Sequence, residues 1–548
     1  MTPADLVAAI TAALAAIPET SDLQVDVRVE RPKNRDHGDW ATNVALASAK
    51  RAGLPPRELA AKVVAILQTH EGIEALEIAG PGFINISLAA QAQGQIAQSI
   101  VTAGSTYGQI EALTGTNINL EFISANPTGP LHLGHTRWAA VGDAMARVLA
   151  AAGAVVDREF YINDRGVQMD KFGMSLEARA RGAEPPEGGY QGEYIVELAQ
   201  RIVAAEPGIL DLPEDERWVA FREAGYALQL QQQKDVLDHF RTHFDVWYSE
   251  RTLHSSGAVD RGMVKLRSQG HVYEADGAVW LRTTDFDDDK DRVLIKADGE
   301  LTYFASDTAY YVDKRARGFD ICVYLLGADH HGYVNRLRAV AACAGDDPNF
   351  NIEILIGQLV KMYKGGEEVR LSKRSGAMIT LEDLVDEVGV DAARYTLIRY
   401  PADSPLMMDL DLLVQRTNDN PVFYVQYAHA RISSVLRNAA DLGIDWRQAE
   451  FDPGLLTHER EGALLGVLAE FPRIIATAAE LREPHRVCRY LEEVATAYHK
   501  FYDSCRVLPR GEEQVEPLHI ARLWLCAATR QVIANGLDLC GVSAPDRM

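Results

Sequence analysis

The part of this chain that most constrains its fold lies between residues 117 and 161. Ile118, Leu120 and Phe122 alternate with polar neighbours, which predicts a β-strand. A Pro- and Gly-rich turn follows: Asn126, Pro127, Thr128, Gly129, Pro130, Leu131, His132, Leu133, Gly134, His135. Helical periodicity then runs from about residue 134 to 152, where Gly153 stops it, and 155–161 reads as the next strand. Strand, turn, helix and strand in that order open a parallel α/β sheet. There the helix N-terminus, with its free N–H groups and positive dipole end, faces the carboxyl edge of the strands, where phosphate binds. Gly134 lets a ligand approach the backbone closely. His132 and His135, three apart, suit hydrogen-bond donation to phosphoryl oxygens as charge develops there. The competing reading is a pair of histidines that cap the helix start. Alone, the motif supports nucleotide binding and nothing narrower.

With 548 residues the chain has room for three or four domains of about 150 residues each. Residues 1–110 show helical patterns at 3–17, 39–52 and 56–69, a strand-like stretch at 75–88 and a helix at 93–103. Residues 6–17 are apolar like a signal segment, but Asp5 stands where a signal is positive and the first basic residue is Arg28. Thr2-Pro3-Ala4-Asp5 reads instead as a helix start with Thr2 as N-cap. The α/β pattern breaks at about 175–265, a polar helical stretch. Strand signals return at 279–282, 293–296, 321–326 and 352–356, so one sheet carrying a helical insertion is expected over 111–405.

From about residue 411 the strands stop. Residues 411–548 hold 14 Arg, 1 Lys and 19 acidic residues. A helical unit whose cations are nearly all arginine suits RNA, because guanidinium pairs with phosphate and stacks on bases. An ordinary bundle with a solvated surface has the same periodicity. The net charge, 55 − 78 = −23, argues against a nucleic-acid binder as a whole but leaves room for a local basic groove. No run of 18 uninterrupted apolar residues occurs, so no membrane span is expected. The cysteines at 322, 343, 488, 505, 526 and 540 form no CxxC pair, which predicts buried, reduced thiols rather than a zinc knot or disulfide framework.

A second motif stands far downstream: Arg370, Leu371, Ser372, Lys373, Arg374, then Ser375 and Gly376. A short cationic loop of this kind can close on a triphosphate and neutralise the leaving pyrophosphate, although alone it reads as a solvated basic loop. Together HLGH and RLSKR resemble the HIGH and KMSKS signatures of class I aminoacyl-tRNA synthetases. Leu133 replaces Ile, Arg370 the first Lys and Leu371 the Met, while Lys373 keeps the second lysine. Longer blocks narrow the resemblance to the arginyl-tRNA synthetases: EFISANPTGPLHLGH (121–135), YINDRG (161–166), YFASDTAY (303–310) and GADHHGY (327–333). DAARY (391–395) is similar to the DALR signature of their anticodon domain, and HGDWATN (37–43) and AGPGFIN (79–85) to their additional N-terminal domain. The resemblance covers essentially the whole chain.

It implies a Rossmann-type parallel-sheet catalytic domain with insertions over 111–405. A small α+β tRNA-contacting domain is implied over 1–110, and an all-α anticodon-binding bundle over 406–548. It implies ATP-dependent ligation of L-arginine to tRNA(Arg) through an arginyl-adenylate, with arginine activated only when tRNA is bound. The bacterial-type enzyme would be a cytoplasmic monomer, away from membranes, using ATP with Mg²⁺ and no prosthetic group or resident metal. ATP is expected along Ala125 to His135, with His132 and His135 on the phosphates and the ribose–adenine end, and Arg370 to Arg374 on the β- and γ-phosphates. A guanidinium calls for carboxylates, and the resemblance gives Glu121, Asp307 and Tyr303 to the arginine side chain. It gives Asn126 to the α-amino or carboxylate end, with Asp329 and His330 lining the same site, and Asn420, Tyr424, Tyr427 and Arg431 to tRNA. Without it, Asp307 would read as a helix N-cap and Tyr303 as a core phenol.

Rival readings lack what they need. A cysteinyl-type enzyme requires a zinc-binding cysteine set. A small-molecule adenylyltransferase has no use for the terminal helices or the N-terminal unit. A non-catalytic RNA-binding paralogue has no use for HLGH and SKR together. His330-His331 lacks the i, i+4 spacing of a zinc-protease pair. Residues 285–291 have acidic spacing, but Arg292 stands where a calcium loop needs Gly, so a solvated hairpin is expected.

Overall fold

The computed structural model describes residues 1–32, 34–369 and 379–548, which leaves the cationic loop at 370–374 outside the described residues. At its centre is a five-stranded parallel sheet ordered Ile352–Gly357, Ile321–Gly327, Asn117–Glu121, Val155–Ile162, Val246–Ser249. The first of these strands in the chain, Asn117–Glu121, sits in the middle. The chain winds to one side of it, then returns to the other, so the carboxyl ends of Asn117–Glu121 and Ile321–Gly327 flank a topological switch point, the usual ligand crevice of such sheets. Ile118, Leu120 and Val323 are fully buried, as a sheet covered on both faces requires. Helix Leu133–Ala151 lies tightly on the sheet: a Cβ on Gly142 would stand 2.5 Å from the Phe122 ring.

Four strands differ from expectation. Val246–Ser249 falls inside the stretch read as helical, yet it pairs with Val155–Ile162. Four residues are too few to show a period, although Val, Trp and Tyr favour strands. Ala278–Leu281 and Arg292–Ile295 do not join the parallel sheet; with Val272–Ala275 they form a separate antiparallel one. Asp276 and Gly277 link the first hairpin, both at positive φ (52° and 75°), the conformation that suits two-residue hairpins. Trp40–Thr42, expected within a helix, is a strand paired with Phe83–Leu88, and the helix starts only at Val44. The acidic stretch 285–291 is also not simply solvated. Asp288, its side chain 4% exposed, accepts two bonds from Arg292, which hold its carboxyl below the usual range against burial.

The N-terminal unit packs Pro3–Ala16, Val44–Ala52 and Pro56–Leu67 with a three-stranded antiparallel sheet. Thr2 caps the first helix as expected: Asp5 N donates to Thr2 Oγ1 (3.2 Å) and Thr2 N to Asp5 Oδ2 (2.7 Å). The insertion helices Val167–Ala180, Glu193–Ala205 and Glu214–His239 bury their own core around Phe172, Ile195 and Phe221. The C-terminal helices are Pro421–Asp441, Glu459–Ala469, Phe471–Glu480, His485–Ser504 and Pro517–Leu539. The stretch Glu459–Glu480 is apolar enough to cross a bilayer, but most of it is buried against its neighbours. All six cysteines are buried and free.

The DAAR segment joins these parts. Arg394 is fully buried and donates to Asp143 (2.6 Å), to the carbonyls of Phe240 (2.8 Å) and Cys540 (3.0 Å), and to Thr242 Oγ1 (3.0 Å). One guanidinium thereby ties the sheet-covering helix, the end of the insertion and the C-terminal segment. Asp391 accepts from Arg241 (2.6 Å) and Gln426 (2.9 Å).

Candidate functional site

A cavity of about 950 Å³ opens at the switch point. Its walls are the strand ends at Glu121 and Leu325–Gly327, the histidine motif, Asp307, Tyr333 and the segment 357–360. Just after Glu121, Ile123 (φ 69°) and Ser124 (φ 46°) adopt the left-handed region in succession. For a β-branched residue that is strain. It turns the chain sharply, and Ser124 Oγ donates to Glu121 Oε1 (2.9 Å) while accepting from Tyr161 N (3.2 Å).

At one end of the cavity, His132 is the N-cap of helix Leu133–Ala151. Gly134 N donates to His132 Nδ1 (3.1 Å) and His132 N to His135 Nδ1 (3.3 Å). The rings lie 3.9 Å apart. Burial lowers the pKa of both; His135, which also feels His132, falls to about 3. Both imidazoles are therefore neutral, and because each Nδ1 accepts, each ring proton belongs on Nε2. Capping and ligand contact, alternatives in the sequence, are compatible: Nδ1 holds the helix start and Nε2–H is left to donate. Gly134 has a local reason too, since a Cβ there would meet His132 Cε1 at 2.9 Å. The motif is also stitched to the segment after residue 378: Leu133 N donates to Ile379 O and Leu381 N to Leu131 O, both 2.8 Å.

Carboxylates form the other end. Glu121 Oε2 accepts from the fully buried Lys314 Nζ (2.5 Å), which also lies 4.0 Å above the Tyr324 ring. Both Glu121 oxygens are thus engaged by the protein itself. Asp307, on helix Tyr303–Ala316, accepts from the Tyr333 hydroxyl. Burial pushes its carboxyl up to about 6; the charge of Glu121 adds to this, and the Tyr333 bond, Arg336 and His330 oppose it. The N-cap of this helix is Thr302, whose Oγ1 accepts from Ala305 N (3.2 Å), so Asp307 is not a capping residue.

Of the expected site residues, Glu121, His132, Gly134, His135, Asp307 and His330 line the cavity. Asn126 and Tyr303 stand outside its wall. Asn126 is exposed and donates to Gln168 Oε1 (2.5 Å). Tyr303 is 79% exposed at the first position of its helix, which excludes the core-phenol reading, and its hydroxyl lies 3.8 Å from where a Gly166 Cβ would be. Ala125, Pro127, Thr128 and Leu131 are buried beneath the motif, with Gly129, Pro130 and Leu133 half-buried beside them. Asp329 falls in the 3₁₀ turn Ala328–Tyr333. Arg370, Leu371, Ser372, Lys373 and Arg374 lie outside the described residues. Lys314, Tyr324 and Tyr333 are site residues that lie outside the set expected from the sequence. Tyr333 closes the GADHHGY block, which was a signal; Lys314 had none.

On helix Pro421–Asp441, Tyr427 lies parallel to Phe423 (5.9 Å, 7°) and the Arg431 guanidinium sits 4.3 Å above the Tyr502 ring. Tyr424 pairs with Thr496 Oγ1 (3.1 Å). Asn420, 3% exposed, donates to the carbonyls of Leu413 and Gln415 (both 2.9 Å) and so braces the helix start rather than facing solvent.

Comparison with known proteins accounts for this layout. Residues 4–88 match the family model described as the arginyl tRNA synthetase N terminal domain. Residues 96–185 and 211–403 match the tRNA synthetases class I (R) catalytic domain, and 425–548 the DALR anticodon binding domain. Curated arginine–tRNA ligases of Kineococcus radiotolerans and Frankia alni are 58% and 57% identical to the chain, covering 100% of it and 100% of their own length. The arginyl-tRNA synthetase structure from Thermus thermophilus is similar with a TM-score of 0.77 at 20% identity over 100% of both chains, which speaks for the fold alone.

Proposed function

This chain belongs to the arginyl-tRNA synthetase family and charges tRNA(Arg) with arginine at the expense of ATP, and from that premise we propose that its cavity holds the two small substrates at opposite ends. The observation that carries this reading is the polarity of the cavity: two neutral Nε2–H donors at a helix N-terminus on one side, and a desolvated carboxylate on the other. Asp307 takes the guanidinium, whose fixed charge draws the proton off a carboxyl held near pKa 6. Glu121, balanced by Lys314, faces the same substrate. Asn126 and Tyr303 close over it by side-chain rotation, with Asp329 and His330 alongside.

His132 and His135 donate to the phosphates of ATP. Lys373, with Arg370 or Arg374, holds the β- and γ-phosphates, and Mg²⁺ arrives with ATP, bound mostly by phosphate and water. The arginine carboxylate attacks the α-phosphorus in line and pyrophosphate leaves. The terminal ribose hydroxyl of the tRNA then attacks the acyl carbon and AMP leaves. Positioning and charge neutralisation supply the catalysis. Residues 1–110 contact the tRNA outside the anticodon, 111–405 form the catalytic domain and 406–548 meet the anticodon through Tyr424, Tyr427 and Arg431, with Asn420 behind them. The enzyme acts as a cytoplasmic monomer, away from membranes, and activates arginine only with tRNA bound. Arginine-dependent AMP formation, measured with and without total tRNA, tests this: formation is expected only with tRNA. Exchange of pyrophosphate into ATP with arginine alone would overturn the tRNA requirement.

A further inference from the structure

The turn at 126–129, just before the histidine motif, is gripped from the far side by the helical insertion. Gln233, on helix Glu214–His239, is 1% exposed, and its Nε2 donates to Asn126 O (3.0 Å) and Gly129 O (2.8 Å). Tyr194, on helix Glu193–Ala205, donates its hydroxyl to Thr128 O (3.0 Å). Pro127 and Pro130 have no N–H to donate, so the shape of the turn rests on what its carbonyls accept. Three of the four carbonyls at 126–129 are held by these two side chains. The amide orientation follows from its partners, because two carbonyl acceptors require the nitrogen. Gln233 Oε1 is left buried without a partner. An apolar side chain of the same length would fill the space without that orphan, so packing alone does not explain a glutamine here.

We infer that Gln233, with Tyr194, is a positioning residue for adenylate formation. It touches neither substrate. It fixes the turn that delivers His132 and His135 to one ligand and Asn126 to the other, and so makes the insertion part of the catalytic frame. The inference rests on the reading of the turn as the ATP end of the cavity. A misplacement of about 1 Å at reacting groups can cost about 100-fold in rate.

The test is arginine-dependent AMP formation by the full chain with tRNA, expressed per titrated active site. Gln233→Met keeps the length and removes the donor. It is expected to lower kcat about 10- to 100-fold, with the arginine KM rising by less than kcat falls, because the released turn also carries Asn126. Leu237→Ala, one turn along the same helix and buried, should lower the melting temperature and leave kcat per site unchanged. A merely structural glutamine would behave like Leu237. If Gln233→Met does not fold, Tyr194→Phe carries the same test, with a loss of about 3- to 10-fold expected for one hydrogen bond. Wild-type kcat per site in whichever variant folds overturns the inference. His132→Ala, run in parallel, keeps the two readings apart. Unchanged kcat there overturns the ATP assignment itself, whereas a loss there with wild-type Gln233→Met overturns only the clamp.

Discussion

Asp307 offers the most quantitative handle on the pocket. Its carboxyl is held near pKa 6, chiefly by burial. Arginine binds the ionised form, so binding below that pH must first expel a proton. At pH 5 only about one site in eleven is ionised, and the arginine KM is expected to rise about tenfold between pH 8 and pH 5. Arginine keeps its own charges across that window. The same shift affects folding. The folded pKa exceeds the ordinary carboxyl value of 3.8, so the folded chain holds the proton more tightly. The contribution is therefore present at low pH and is lost as pH rises from about 4 through 6. A rise from 3.8 to about 6 corresponds to about 3 kcal/mol. Asp307→Asn should then be more stable than the parent at pH 8, by up to about 2–3 kcal/mol, and should bind arginine about 100-fold more weakly because the guanidinium loses its counter-charge. The assay is arginine KM in tRNA-dependent AMP formation from pH 5 to 8, with thermal melts at pH 8. A flat KM profile in the parent, or the same pH dependence retained in Asp307→Asn, would refute the reasoning.

Two further outcomes follow from buried charges. Glu121→Gln removes the counter-charge of fully buried Lys314 and should cost about 3–5 kcal/mol in chemical denaturation; a cost below about 1 kcal/mol would show that Lys314 does not depend on Glu121. Arg394→Met strips Asp143 and four other acceptors of their common donor and should destabilise the chain by a similar 3–5 kcal/mol or more, read by the same method, and wild-type stability would contradict its place as the joint between the catalytic helix and the C-terminal segment.

What could be read from the sequence was what is local or periodic. The run from 117 to 161 displays its strand, turn, helix and strand because each piece is long enough to show a period. Val246–Ser249 was invisible because it spans barely one repeat of any pattern. The hairpin through Asp276-Gly277 is legible in principle, since that dipeptide is a strong turn signal; but Val272–Ala275 shows no strand signal of its own, and the signal at 279–282 does not name its partner. Long-range pairings carried no signal at all. Lys314 is 193 positions from Glu121, and Gln233 is 107 from Asn126. The i, i+4 spacing of Tyr303 and Asp307 placed them near one another on a helix but could not say that the helix would begin at Tyr303 and leave its ring in solvent.

The division of the cavity is tested most directly by measuring both substrate KM values in two variants under the same tRNA-saturated conditions. Asp307→Asn removes the carboxylate end. His135→Asn keeps an acceptor for His132 N while deleting the Nε2–H donor. The account predicts a crossed pattern: the first raises the arginine KM about 100-fold and leaves that of ATP within about threefold, while the second lowers kcat and weakens ATP but leaves the arginine KM within about threefold. Equal changes in both KM values, in either variant, would contradict it.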